Sequence, residues 1–247
     1  MTYKEYGKQN DDVIILLHGG GLSWWNYRET AERLQSDFRV ILPVLDGHAD
    51  SDKGFTTIEN NAADLIAFID ENFGGKVLLI GGLSLGGQVL LEMLDQRENI
   101  CRYAIVESAL VVPSKGIHSL IEPALSISYG LIRHKWFSRL QFKYLRINPD
   151  LFDDYYRDTC GITRENTIAF LQANALYQLK PTIVNCSAIV SIYVGSKEGR
   201  AMQISAKKIH EKLRGSSLTV LPGLHHGAFS INNAGTYAEA ICAMVWR

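Results

Sequence analysis

The chain has 247 residues, long enough for one large domain or for a domain that carries an inserted cap. Hydrophobic residues make up 47% and charged residues 21%, an ordinary globular balance that excludes a disordered or fibrous chain. With a net charge of −1, the overall balance points neither to nucleic acid nor to an anionic membrane.

In chain order, Tyr3–Tyr6 reads as an antiparallel edge strand, and Val13–Leu17 as a strand covered on both faces because every residue is apolar. His18-Gly19-Gly20-Gly21 follows it, then Trp24 and Trp25. Arg39–Leu42 is the next strand, with Asp46-Gly47-His48 in the loop after it. Ile58, Ala62, Leu65, Ile69 and Phe73 share one helical face, and Thr56 with Glu59 has the spacing of a capping box ahead of them. Lys76–Ile80 is a strand that runs into Gly82-Leu83-Ser84-Leu85-Gly86 and then the apolar-striped helix over Val89–Leu94. Tyr103–Val106 ends beside Glu107.

From about Pro113 to Pro181 the alternation stops, and the sequence reads as several helices rich in Tyr, Phe and Leu. Strands resume at Ile189–Val194 and Ser217–Leu221, with a helical stripe at Met202, Ala206, Ile209 and Leu213 between them. Tyr237, Ile241, Met244 and Val245 form a last helix. Alternating strands and helices predict a mostly parallel twisted sheet with helices on both faces. The helical insertion makes 113–180 a lid, and 1–112 with 181–247 the core.

Strand, sharp turn and helix around Gly82–Gly86 are the context in which serine becomes a nucleophile. Ser84 then needs a base and a group that orients the base. The loop after Ser217–Leu221 carries His225 and His226, and His226, which precedes Gly227, is the expected base. Glu198 in Gly195-Ser196-Lys197-Glu198 is the expected acid, with Glu107 as the competitor one strand earlier. For the oxyanion, the backbone N–H of Leu85 at a helix start and that of Gly20 are the expected donors, with Gly21 the near alternative. His18 is expected to hydrogen-bond structurally and Asp46-Gly47-His48 to order its loop. No His-x-x-x-His pair or phosphate-binding glycine pattern is present, so neither a metal nor a nucleotide is expected. Cys101, Cys160, Cys186 and Cys242 form no Cys-x-x-Cys pair and read as free thiols.

Taken in order, His18–Gly21, Asp46–His48, Gly82–Gly86 and Gly223–Gly227 resemble the α/β-hydrolase superfamily over nearly the whole chain. The resemblance implies an α/β-hydrolase fold with a helical cap between the sixth and seventh strands, no cofactor, and a covalent acyl-enzyme. It supports His226 through the family's Gly-x-Gly-His, and it departs from the family's usual Asp at Glu198. The N-terminal antiparallel strands are shortened.

The expected activity is a serine hydrolase acting on a small, fairly apolar carboxylic ester. The same residues would serve a thioesterase, a C–C bond hydrolase or a cofactor-free lyase, and a slow-turnover, receptor-like ligand binder is the alternative from another class. A small-molecule substrate is expected, with no nucleic acid. No apolar run reaches the ~18 residues of a membrane span, and the first residues lack a secretion-type apolar stretch. A cytoplasmic location is expected.

Overall fold

The computed structural model describes residues 1–246. Seven strands form one sheet in the order β1-β3-β2-β4-β5-β6-β7. They are β1 (Tyr3–Tyr6), β2 (Val13–Leu17), β3 (Arg39–Pro43), β4 (Val77–Leu83), β5 (Cys101–Glu107), β6 (Ile189–Gly195) and β7 (Ser217–Leu221). Only β1 is antiparallel, lying against β3; every other pairing is parallel. Parallel neighbours need crossovers, and the helices supply them. The crossovers in the core are α1 (Arg28–Leu34), α2 (Ile58–Phe73), α3 (Leu85–Gln96) and α8 (Arg200–Lys212); α9 (Ala228–Asn232) and α10 (Ala234–Val245) follow the last strand.

The period-two pleat divides β2 between two hydrophobic layers. Val13, Ile15 and Leu17 face α2, α3 and α8, whereas Ile14 and Leu16 face α1 and α10. β4 and β5 run longer than the apolar runs suggest. At Gly81 an added Cβ would lie 2.8 Å from both the Leu16 side chain and the Tyr237 hydroxyl, so the strand continues through glycine because neighbours pack tightly there. Helix α2 begins one residue later than the capping-box spacing indicates. Its N-cap is Thr57, whose hydroxyl accepts from the Asn60 N–H, while Thr56 accepts from the Asn60 side chain.

Between β5 and β6 the chain makes the four cap helices α4 (Lys115–Ser128), α5 (Lys135–Leu145), α6 (Phe152–Gly161) and α7 (Arg164–Leu176). With the family's N-terminal strands shortened here, β5 and β6 are its sixth and seventh. Polar contacts fasten the cap to the core. Trp25 donates to Asp158 of α6 at 2.7 Å, and Gln88 of α3 exchanges hydrogen bonds with Asn174 of α7 at 2.9 and 3.1 Å. Asn232 of α9 accepts from the Asn148 N–H and donates to the Arg146 carbonyl. Among the described residues no helix is long and apolar enough to cross a membrane. All four cysteines are free.

Candidate active site

β4 ends at Leu83 and α3 begins at Leu85, leaving Ser84 alone to make the turn. Its φ of 54° and ψ of −111° place a non-glycine residue in a strained region. The strain is held by close backbone packing. A Cβ at Gly82 would lie 2.4 Å from the Gly86 carbonyl oxygen, and one at Gly86 would lie 2.2 Å from that of Leu17. The Ser84 N–H is tied to the Glu107 carbonyl at 2.9 Å. Strand, turn and helix thus present the serine at the carboxyl edge of the sheet.

The loop after β7 brings His226 to the same edge. Its Nδ1 lies 2.8 Å from Glu198 Oε2, and a carboxylate can only accept, so Nδ1 carries the proton and Nε2 keeps its lone pair. Glu198 is 2% exposed in its side chain but fully supplied with donors. Its Oε1 accepts from the Gly195 N–H at 2.6 Å and from the Ser108 hydroxyl at 2.7 Å. Burial pushes the Glu198 carboxyl up, yet the His226 hydrogen bond and charge, with the Gly195 and Ser108 donors, hold it below the usual range. Nothing in the sequence marks Ser108 except its place directly after Glu107 at a strand end; the structure adds a φ of 53° that turns the chain there.

Glu107 sits differently. Its Oε1 accepts only from the Ser230 N–H, at 3.4 Å, and Oε2 has no partner among the described residues. Burial raises its pKa to about 7, opposed in part by Ser230. Glu107 and Glu198 therefore both approach His226, and only Glu198 is hydrogen-bonded to it.

The glycine turn after β2 is buttressed by histidines. His18 is fully buried, with Nδ1 on the Gly19 carbonyl and Nε2 accepting from the Leu45 N–H. Burial, reinforced by the charge of His48, lowers its pKa to about 3. His48 accepts the Gly21 N–H at 3.0 Å and stacks on Phe170 of the cap, and burial lowers its pKa to about 4. Gly21 thus has its N–H engaged. Among the described residues no hydrogen bond uses the Gly20 N–H, and Leu85 opens α3, where the first N–H groups have no helical partner.

A cavity of about 630 Å³ joins these parts; Gly20, Ser84, Glu198 and His226 all line it. Most of the remaining wall is apolar, including Leu22, Leu110, Leu145, Ile147, Met202 and Ile231. Its size suits a small organic ligand. Among the described residues the Ser84 hydroxyl makes no hydrogen bond and His226 Nε2 is unpartnered; in ligand-free enzymes catalytic hydrogen bonds are commonly long and close only around substrate. His225 also lines the cavity, but its Nε2 lies 2.6 Å from Arg146 Nη1 and has no carboxylate partner among the described residues. Of the aromatic residues on the cap helices, Tyr144 lines the cavity, while Phe142 and Tyr155 are buried in the layer that also holds Trp25 and Tyr27. Among the described residues no three His, Cys, Asp or Glu side chains gather as a metal set.

A family model described as "Alpha/beta hydrolase family" matches residues 14–240. Solved structures of the same fold include a thermophilic esterase from Thermogutta terrifontis, with a TM-score of 0.80 at 19% identity over 99% of this chain and 92% of that one. The enol-lactonase from Burkholderia xenovorans LB400 matches with a TM-score of 0.83 at 14% identity over 100% of this chain and 96% of that one. An esterase from Exiguobacterium antarcticum gives 0.80 at 18% identity, covering 99% and 95% respectively.

Proposed function

The chain belongs to the alpha/beta hydrolase family, and from that premise we propose that it hydrolyses small, fairly apolar carboxylic esters through Ser84, His226 and Glu198. The observation that carries the reading is a serine strained at φ 54° at the start of a helix, in one cavity with a histidine whose Nδ1 is held by a buried carboxylate. The apolar wall supports an apolar acyl group, and the esterases and lactonase of the same fold support ester chemistry.

Ser84 Oγ attacks the carbonyl carbon while His226 Nε2 takes its proton, and Glu198 stabilises the imidazolium that forms. Negative charge on the carbonyl oxygen is met by the N–H groups of Gly20 and Leu85, the latter strengthened by the dipole of α3. The C–O bond then breaks, and the alcohol leaves with the proton from His226. Water, deprotonated by the same nitrogen, attacks the acyl-enzyme and frees the acid and Ser84. Residues 113–180 act as the cap over this site, and 1–112 with 181–247 as the hydrolase core.

Intact mass after exposure to a fluorophosphonate tests the reading. One adduct on the wild type, absent in Ser84→Ala and in His226→Ala, is expected, together with turnover of a short-chain p-nitrophenyl ester. No adduct on folded wild-type protein would overturn the assignment of Ser84.

A further inference from the structure

Cap helix α5 carries two stripes side by side. Trp136, Leu140 and Tyr144 recur every fourth residue, share one face, and are 63%, 62% and 87% exposed. Lys135, Arg139 and Lys143 run at the same spacing one position earlier, and all are exposed. With Arg133 before the helix and Arg146 after it, residues 131–146 contain five cations and no carboxylate.

Among the described residues none of these five cations is in an ion pair. Lys135 and Arg139 lie over the rings of Tyr156 and Phe152 instead. Of the acids of α6, Asp154 is engaged by Arg28 and Arg157 and Asp158 by Arg157 and Trp25, whereas Asp153 is exposed and, among the described residues, pairs with none of the five cations.

The exposed stripe is surplus to the cap's own packing. α5 already buries Ser138 and Phe142 on its opposite side, so nothing in the fold requires indole, leucine and phenol together in water. Tryptophan and tyrosine favour a membrane interface, leucine favours the acyl boundary, and Lys and Arg are drawn to anionic headgroups. A second copy fits the face poorly, because a symmetric contact would set five cations against five. We propose that α5 docks the protein on an anionic lipid surface. Tyr144, Leu145 and Arg146, at the end of the helix, also line the cavity, so docking turns the cavity mouth toward the lipid. The docking stands by itself; that the docked protein takes acyl esters from that surface rests on the ester reading above.

Cosedimentation of the full chain with phosphatidylcholine vesicles, alone or mixed with phosphatidylglycerol, tests this. Ser84→Ala protein is used so that turnover plays no part. Binding is expected on the mixed vesicles only, with a blue shift of tryptophan emission that Trp136→Phe removes. Lys135→Glu/Arg139→Glu/Lys143→Glu is expected to weaken it by more than about a hundredfold, since each lost cation contributes about fivefold near an anionic surface and each added carboxylate is repelled. The same triple variant and Trp136→Ser/Leu140→Ser, with Ser84 intact, are expected to keep wild-type melting and hydrolysis of a soluble ester. Equal binding to both vesicles, no binding, or indifference to charge reversal would overturn the proposal. So would a wild-type dimer that Trp136→Ser/Leu140→Ser converts to monomer, which would give the stripe to a second copy. Vesicle binding without ester hydrolysis removes the ester reading alone, and the reverse removes the docking alone.

Discussion

Glu198 and Glu107 are both buried carboxylates near His226, yet their partners differ. Glu198 receives hydrogen bonds from a backbone N–H, a hydroxyl and the imidazole, so its negative charge is stabilised in place. Glu107 has one long contact and an orphan oxygen, conditions that favour the protonated form. Glu198→Ala is therefore expected to lower kcat for ester hydrolysis by about 10²- to 10⁴-fold, and Glu107→Ala by far less, in steady-state assays at pH 8. The opposite ranking would move the acid to β5. Stability gives an independent reading of Glu107. Its folded pKa of about 7 lies above the ordinary 4.5, so the folded state binds the extra proton between those values. Stability from this group is full below pH 4.5, declines as pH rises through 7, and is constant beyond. Glu107→Gln removes that loss. Its stability relative to wild type should grow from pH 5 to pH 8 by about 2.5 kcal/mol, and a gap that does not change with pH would refute the shift.

At the scale of elements, the junction of β4 and α3 depends on backbones touching where side chains would ordinarily stand. Gly86 lies against the carbonyls of Leu17 and His18, at 2.2 and 2.6 Å from where its Cβ would be. Backbone carbonyls cannot rotate aside as a side chain can. Gly86→Ala must push α3 away from β2, and since overpacking costs about 1–3 kcal/mol even where neighbours give, a larger loss is expected here. Chemical denaturation would show it as a lowered midpoint, and unchanged stability would mean that the strand and helix are less closely apposed. The capping of α2 belongs to the same scale. Thr56 and Thr57 are adjacent and chemically identical, so only the extended backbone of Thr57 reveals which hydroxyl caps the helix.

For the molecule as a whole, the cap is seated on the core by polar contacts, by Phe170 against His48, and by apolar side chains such as Ile162, Phe142 and Ile147 that join the hydrophobic layers on the two faces of the sheet. Asp158 is a buried anchor, 2% exposed, between the Trp25 indole and Arg157. Asp158→Ala leaves the indole N–H of Trp25 buried without an acceptor, at a cost of about 1–3 kcal/mol. Hydrogen exchange in α6 should quicken while β4 keeps its protection, and Asp158→Asn, which retains an acceptor, should restore most of the difference. Uniform quickening of cap and sheet would instead make them one cooperative unit.

Local patterns in the sequence set the core strands, the serine turn and the main helical stripes in their order, but not the bounds of α1, α9 and the four cap helices. Apolar runs, helical stripes and the glycine-flanked serine are local features, decided by pleat, helix period and backbone sterics within a few residues. Tertiary structure decided the pairings. The 2.8 Å contact of Glu198 with His226, the Ser108 hydroxyl on that carboxylate, and the engagement of Gly21 by His48 join residues 27 to 90 positions apart, at distances no spacing rule encodes. The same holds for the cap. Its aromatic and basic residues are plain in the sequence, but which of them face the cavity, the cap interior or the surface depends on how four helices pack. The overall charge of −1 likewise averages away five cations that the fold gathers along α5. Composition is a sum over the chain, whereas binding depends on where the fold puts each charge.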